Sequence, residues 1–135
     1  MKKFHALIMA ASIAVTTGPT AAFANSNLTG SYELRVIEAE PTSYVGTQFC
    51  ATLNEDGSVL GWANSGTMTV NGVSGQFYIS NRQLVAWAES GSGSSLFTAN
   101  LPGGTHIVGT GFALLDSGGN VYATGAYKST KVSSC

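Results

Sequence analysis

Alternating apolar and polar positions in the middle of the chain predict a three-stranded meander. The segment 67–70 leads into Asn71-Gly72, and the segment 73–80 runs back from it. Asn-Gly between two β-rich segments is a strong hairpin signal, because a type I′ turn needs positive φ at both central residues. Asn81-Arg82 then forms a second short turn of permissive residues that leads into 84–88.

The same period of two continues on both sides of this meander. In the opening segment, 28–38, Tyr32, Leu34 and Val36 alternate with charged residues, which is typical of a half-buried strand. The segment 90–95 alternates Gly and Ser without an apolar residue and is predicted to be a flexible hairpin loop. Further strands are predicted at 47–53, 58–62, 96–101, 105–115 and 120–130.

Many short strands and no helical periodicity restrict the expected fold to a closed β-barrel or a β-sandwich. Connections of hairpin length favour up-and-down order. Closing the sheet also removes the exposed edges that a long strand at 105–115 would present. We therefore expect an all-β fold, a single antiparallel up-and-down β-barrel of about eight strands, with a β-sandwich as the alternative.

The first 24 residues have the features of a secretory signal peptide. Lys2 and Lys3 precede an apolar segment, 6–15, and Ala22-Phe23-Ala24 offers small residues at the positions that a signal peptidase recognises. The apolar segment is too short to span a bilayer. The expected organisation is a signal peptide at 1–24 and one barrel domain at 25–135, which is periplasmic or secreted.

The charge balance excludes two classes of partner. Without Lys2 and Lys3, four basic residues remain against seven acidic ones, which gives a net charge of −3. Such a chain lacks the basic surface of a nucleic-acid binder. It also lacks the polybasic clusters that hold proteins on anionic membranes. We expect no nucleic acid and no membrane among its partners.

Two cysteines, Cys50 and Cys135, remain in a chain expected to enter an oxidising compartment. The simplest interpretation is one disulfide that ties the last residue to an early strand, outside the barrel or at an edge. Pairing between two chains is the alternative. Neither cysteine stands in a C-x-x-C motif or beside a His or Lys that would lower its pKa, so a catalytic thiol is not expected.

The start of the first strand resembles the signature of a known barrel family. Leu28-Thr29-Gly30-Ser31-Tyr32 resembles the Gly-x-Trp opening of lipocalin-like and avidin-like (calycin) barrels, with Tyr32 in place of Trp. The resemblance implies a small exported up-and-down barrel whose mouth holds a ligand. It also implies that a basic residue late in the barrel, Lys128 or Lys131, covers the aromatic ring. The avidin motifs that contact biotin are not matched, so biotin is not implied.

The sequence carries no clear catalytic or metal signature. His106 is the one histidine outside the expected signal peptide, and it has no companions at metal-ligand spacing. A Ser-His-Asp triad with Asp116 would call for a nucleophile elbow, which the chain lacks. We expect a non-enzymatic protein without catalytic residues, metal or cofactor, and keep an enzyme with a loop site around His106 as a third class.

Aromatic residues are the better candidates for binding. Neighbouring strand residues face opposite sides, so Phe77 inside would place Tyr78 outside, and the same rule would place Trp87 outside. Exposed aromatics mark partner-binding sites, which makes Tyr78 and Trp87 the candidate partner-binding residues. In the reverse register they would line the interior. The candidate contacts for a ligand held in the barrel are Trp62, Phe112 and Tyr122.

Two functions follow from these patterns. The first is a calycin-like carrier of a small apolar ligand, which predicts an unfilled, aromatic-lined interior. The second is a periplasmic or secreted protein-binding module, such as an inhibitor of a protease or lysozyme. It predicts a filled interior and a protruding part of the chain, either the segment 90–95 or the freed N-terminus at Asn25.

Overall fold

The computed structural model describes residues 28–102 and 107–135. They form a closed, antiparallel, up-and-down barrel of eight strands, in which each strand pairs with the next and the last pairs with the first. The expected all-β barrel is confirmed, and the sandwich is not formed. The signal peptide predicted at 1–24, the expected N-terminus at Asn25 and His106 lie outside the described residues. The elements are β1 (Gly30–Glu40), a 3₁₀ helix (Thr42–Tyr44), β2 (Gln48–Asn54), β3 (Ser65–Val70), β4 (Val73–Ser80), β5 (Gln83–Ser90), β6 (Gly93–Asn100), β7 (Val108–Asp116) and β8 (Val121–Val132).

Both turns of the predicted meander form as expected. Asn71-Gly72 and Asn81-Arg82 have φ values between 48° and 82°, as a type I′ turn requires at both central positions. These two-residue turns fix the register of β3, β4 and β5, because a slip of one residue would turn every side chain to the other face. The pairs next to the turns are Val70 with Val73 and Ser80 with Gln83.

Two of the segment predictions were wrong. The segment 58–62 is not a strand but part of the connection 55–64 between β2 and β3, where the Trp62 amide donates a 3.1 Å hydrogen bond to the Val59 carbonyl. The segment 90–95 is not a loop, because β5 ends at Ser90 and β6 begins at Gly93. A β-ladder is made by backbone groups, so Gly and Ser extend it here beyond the apolar core.

The connections alternate between the two ends of the barrel because successive strands run in opposite directions. One end, which we call the closed end, carries the start of β1, the connection 55–64, the turn Asn81-Arg82 and the chain terminus after β8. The other, which we call the open end, carries the segment 41–47 and the turn Asn71-Gly72.

The interior of the barrel is filled by apolar side chains from all eight strands, which form one contiguous cluster. Phe49 of β2 and Phe97 of β6 stand on opposite walls, yet their ring centroids are 5.6 Å apart in an edge-to-face arrangement. Phe97 makes a second edge contact, at 5.7 Å, with Tyr127 of β8. Eight strands enclose a space that side chains can just fill, and here aromatic rings meet across the barrel axis.

Tyr127 makes a hydrogen bond to the backbone at the edge of this core. Its hydroxyl donates to the carbonyl of Thr98 at 2.8 Å, at the point where the pairing of β6 with β7 shifts by one residue. The side chain is 3% exposed, and burial raises the pKa of its phenol far above the ordinary value of 10.0. The folded protein therefore holds this group in its neutral form.

We expect the free energy of unfolding to fall above pH 10 because of Tyr127. The unfolded chain releases the phenolic proton near pH 10, whereas the folded chain keeps it. The contribution of Tyr127 to the free energy of unfolding is therefore complete below pH 10 and is lost as the pH rises. The expected slope is about 1.4 kcal/mol per pH unit. Urea unfolding from pH 8 upward measures it. Tyr127→Phe should reduce this slope and cost about 1 kcal/mol at pH 8; equal slopes would contradict the assignment.

The disulfide joins Cys50 to Cys135 within one chain, with Cα atoms 5.8 Å apart. Cys50 faces outward, between the inward Phe49 and Ala51, and its partner across the ladder is Glu33 of β1. Because β8 pairs with β1 and Cys50 lies on β2, the last residues cross the outer face of β1. The predicted intrachain disulfide outside the barrel is confirmed, and it is compatible with an exported protein. In the described part of the chain, no helix has the length and apolar character to cross a membrane.

Candidate functional site

Three of the predicted aromatic residues form a cluster on the outer face of β4 and β5. Tyr78 faces outward, and the connection 55–64 folds over it, so that the Trp62 ring lies 3.9 Å from the Tyr78 ring. Trp87 meets Tyr78 edge-on, with centroids 5.8 Å apart. Of the two registers left open by the sequence, the structure has the one that places Tyr78 and Trp87 on the outer face. The exposure expected for Tyr78 was wrong, because the Trp62 side chain covers it and leaves it 2% exposed, whereas Trp87 is partly exposed.

The connection 55–64, hereafter the Leu60 loop, is braced by hydrogen bonds to Ser65. The Ser65 hydroxyl donates to the Trp62 carbonyl at 2.8 Å and accepts from the Val59 amide at 3.2 Å. The Ser65 carbonyl accepts a 2.8 Å bond from the amide of Gly57. Ser65 is fully buried, so one small side chain at the start of β3 holds both halves of the loop.

The base of the Leu60 loop is tied to the start of the chain. The Leu28 amide donates to the Glu55 carboxylate at 3.0 Å, and the Glu55 amide donates to the Thr29 hydroxyl at 3.0 Å. At the tip, Gly61 has a φ of 87°, a conformation that favours glycine, and the loop turns there. Leu60 beside it is 96% exposed. The loop therefore holds a large apolar side chain in water on a fixed support.

Tyr32 and Lys131 meet at the closed end of the barrel. The Tyr32 hydroxyl donates to the Leu28 carbonyl at 2.9 Å, and the Lys131 ammonium lies 5.8 Å from the centre of the Tyr32 ring. Burial raises the pKa of Tyr32, with a further contribution from the negative charge of Glu55. Of the two lysines that the calycin resemblance implied, Lys131 has this position. Lys128 lies farther along β8, opposite Arg35 of β1 in the strand register.

Lys131→Met should lower the free energy of unfolding by about 0.5–1 kcal/mol. The substitution keeps an apolar stem of similar length and removes only the charge over the ring, which is a cation–π contact. Lys128→Met, on an exposed residue of the same strand, is the matched control and should change stability little. Urea unfolding compares the two; equal losses would show that the charge over Tyr32 contributes nothing specific.

The open end of the barrel forms a cleft of about 200 Å³. Its apolar lining includes Phe49, and Tyr122 stands at its edge, 51% exposed, with its ring 6.4 Å from that of Tyr44. Ser95 of the lining pairs with the inward residues Ala88 and Leu114, so its side chain faces the cleft. Its hydroxyl can donate and accept a hydrogen bond, so it could bond to a polar group of a ligand. The other residues of the lining are Val70, Asn71, Val73, Ser90, Ser92, Gly93, Ser94 and Leu115.

The structure does not bring together the three residues predicted to contact a ligand in the barrel. Tyr122 lines the cleft at the open end, and Phe112 lies in the core with its ring 6.2 Å from that of Phe49. Trp62 lies outside the barrel, on Tyr78. Sequence reasoning missed the lining residue Phe49, although its inward direction follows from the alternation in β2, because alternation does not show where the barrel ends.

Comparison of the chain with family models, with curated proteins and with solved structures found no match. Within 28–102 and 107–135, no three His, Cys, Asp or Glu side chains come together in a way that could hold a metal ion. The geometry offers two features suited to binding: the exposed tip of the Leu60 loop and the cleft at the open end.

Proposed function

We propose that this protein is a non-enzymatic, exported protein-binding module, such as an inhibitor of a protease or lysozyme, that inserts Leu60 into an apolar pocket of its partner. The observation that carries the proposal is a leucine 96% exposed at the tip of a braced loop. Burying a leucine side chain is worth about 1.5–3 kcal/mol. A loop that is already ordered loses little conformational freedom on binding, so more of this gain remains as affinity.

The filled interior supports the same proposal. Aromatic rings that meet across the axis leave the barrel as a rigid support rather than a container, as the contact between Phe49 and Phe97 indicates. The disulfide that holds the C-terminus fits a protein that works in an oxidising compartment. The barrel then acts as a scaffold, and recognition occurs on a connection, where binding residues are commonly found.

Affinity measurements on Leu60 variants test this proposal. The tagged protein, immobilised, is exposed to the periplasmic and secreted proteins of the cells that make it, and to chymotrypsin, subtilisin and lysozyme. Leu60→Asp should weaken capture of the partner at least tenfold, because a charge cannot enter an apolar pocket. Val121→Asp, at an exposed apolar residue 56% accessible, is the matched control and should bind like the wild type. Capture that both variants retain equally would contradict the role of Leu60.

A second function, the calycin-like carrier, is supported by the cleft at the open end. The closed end with Tyr32 under Lys131 corresponds to what the resemblance implied, and the cleft is at the opposite end, where a mouth would be. Its volume of about 200 Å³ is smaller than the roughly 300–1,000 Å³ of common ligand sites, so the ligand would be small. An apolar body with one hydroxyl or carbonyl, bonded to Ser95, matches the lining.

The carrier proposal is tested by NMR titration with 1-octanol, which combines an apolar chain with one hydroxyl. The amide signals of Ser95 and Tyr122 should shift and saturate. Tyr122→Ala should weaken the binding several-fold, because it removes an apolar wall of the cleft. Leu60→Ala, an exposed truncation elsewhere, should leave it unchanged. Shifts that do not saturate, or that spread over the whole barrel, would contradict a site at the open end.

A further inference from the structure

A groove on the outer face of β3, β4 and β5 places one aromatic ring among hydrogen-bonding side chains. Its volume of about 470 Å³ lies within the range of ligand sites. It is separate from the cleft at the open end and does not include the Leu60 loop. Its lining consists of Thr67, Ser74, Gly75, Gln76, Trp87 and Glu89.

The Trp87 ring in this groove is held in a fixed orientation. Tyr78 contacts it edge-on at 5.8 Å, and Tyr78 is itself held by Trp62 at 3.9 Å. Trp87 stays partly exposed, although Tyr78 and Trp62 are nearly fully buried. A partly exposed indole that is already ordered offers a flat apolar surface and loses little conformational freedom when a ligand stacks on it.

The polar residues stand beside this ring in a regular arrangement. Thr67, Gln76 and Trp87 are direct partners across three neighbouring strands, so they form one row about 10 Å long. Gly75 adds no side chain to the groove, and a Cβ at this position would collide with the backbone carbonyl of Trp87. Glycine therefore lets β4 and β5 approach closely beneath the groove.

The set of functional groups matches a sugar. A pyranose ring has an apolar face of C–H groups, which stacks on an aromatic ring, and a rim of hydroxyls that both donate and accept. Gln76 offers a donor and an acceptor, Glu89 offers acceptors, and the Thr67 hydroxyl can do either. Among the described residues the lining has no Lys or Arg to pair with an acidic sugar, and the negative charge of Glu89 would repel one.

We propose that this groove binds a neutral saccharide, with one sugar ring stacked on Trp87 and its hydroxyls bonded to Gln76, Glu89 and Thr67. An open groove on a sheet surface suits an internal unit of an oligosaccharide chain better than a single sugar enclosed on all sides. The polar surroundings of the indole distinguish it from the centre of a protein interface, where charged side chains are depleted.

NMR titration of the two tryptophan indole N–H signals tests the saccharide site, since the chain has two tryptophans. Maltotetraose, cellotetraose and chitotetraose are the neutral probes, and tetragalacturonate is the acidic control. At least one neutral probe should shift the Trp87 signal saturably, with a dissociation constant in the millimolar range or below, and the Trp62 signal should move less. Tetragalacturonate should bind at least tenfold more weakly.

Variants distinguish saccharide binding in this groove from a purely structural role of Trp87. Gln76→Ala should weaken the binding of the neutral probe at least tenfold, with the indole signals of the free protein unchanged. Val121→Ala, at an exposed position outside the groove, is the control and should bind like the wild type. The proposal is overturned if no neutral probe shifts the Trp87 signal or if the acidic probe binds equally well. It is also overturned if the signal responds to protein dilution without sugar, which would indicate self-association.

Discussion

Replacing both Cys50 and Cys135 by serine should lower the free energy of unfolding by about 4 kcal/mol. The bridge spans 85 residues, and closing so long a loop removes much of the conformational entropy of the unfolded chain. The chain-entropy treatment gives about 4.5 kcal/mol for this length, within the roughly 2–5 kcal/mol seen when native disulfides are removed. For a domain with a typical stability of about 5–15 kcal/mol, this is a large share.

Urea unfolding of the double variant measures the disulfide effect. The circular dichroism spectrum of the folded variant should remain that of a β-barrel, because Cys50 lies outside the core. Ser134→Ala, in the same terminal segment, is the matched control and should leave the transition midpoint unchanged. A loss below about 1 kcal/mol in the double variant would contradict the role assigned to the bridge.

Phe97→Ala should be the most damaging single substitution in the barrel interior, with a loss of about 3–5 kcal/mol. Phe97 is 2% exposed and its ring contacts both Phe49 and Tyr127, so its removal leaves a cavity at the point where opposite walls meet. Phe97→Leu, which keeps most of the volume, should cost less than about 1.5 kcal/mol and serves as the control.

Phe97→Ala also tests whether the native interior is filled. A cavity lined by apolar groups can bind benzene, so benzene should raise the unfolding temperature of Phe97→Ala. It should leave the wild type unchanged. If benzene stabilised the wild type as strongly as the variant, the barrel would be hollow. The carrier would then be favoured over the protein-binding module.

Much of the fold is predictable from local patterns. Asn71-Gly72 fixes a hairpin because positive φ at two consecutive residues suits Asn and Gly, and the alternation of β1 places Tyr32, Leu34 and Val36 on one face. The disulfide is predictable because two cysteines, in a chain expected to be exported, have one intrachain pairing. The hairpin and the alternation depend on short stretches of sequence and the disulfide depends on the number of cysteines, so tertiary structure did not change these predictions.

The candidate site was less predictable because its residues come together only in three dimensions. The apolar residues Val59, Leu60 and Trp62 resemble a strand, and only the contact of Trp62 with Tyr78 shows that the segment folds back as a loop. The position of Leu60 at the tip depends on hydrogen bonds to Ser65, which no periodicity indicates. Alternation also leaves open where each strand ends, and therefore which residues line the open end.

The two binding features are placed so that they can be tested independently. The Leu60 loop connects β2 to β3 at the closed end, whereas Tyr122 lies near the start of β8 at the open end. Variants at one position therefore serve as controls for the other, and additivity is expected for sites this far apart. A protein that uses both ends would lose one binding activity with each variant.

Photo-crosslinking from position 60 is the most direct test of the proposal that this protein binds a partner through its Leu60 loop. A diazirine analogue of leucine is placed at position 60, or at position 121 as the control, in the cells that make the protein. Irradiation should give one defined adduct with another exported protein from position 60 and none from position 121. An adduct that forms equally from both positions, or none from position 60, would contradict the proposed partner site.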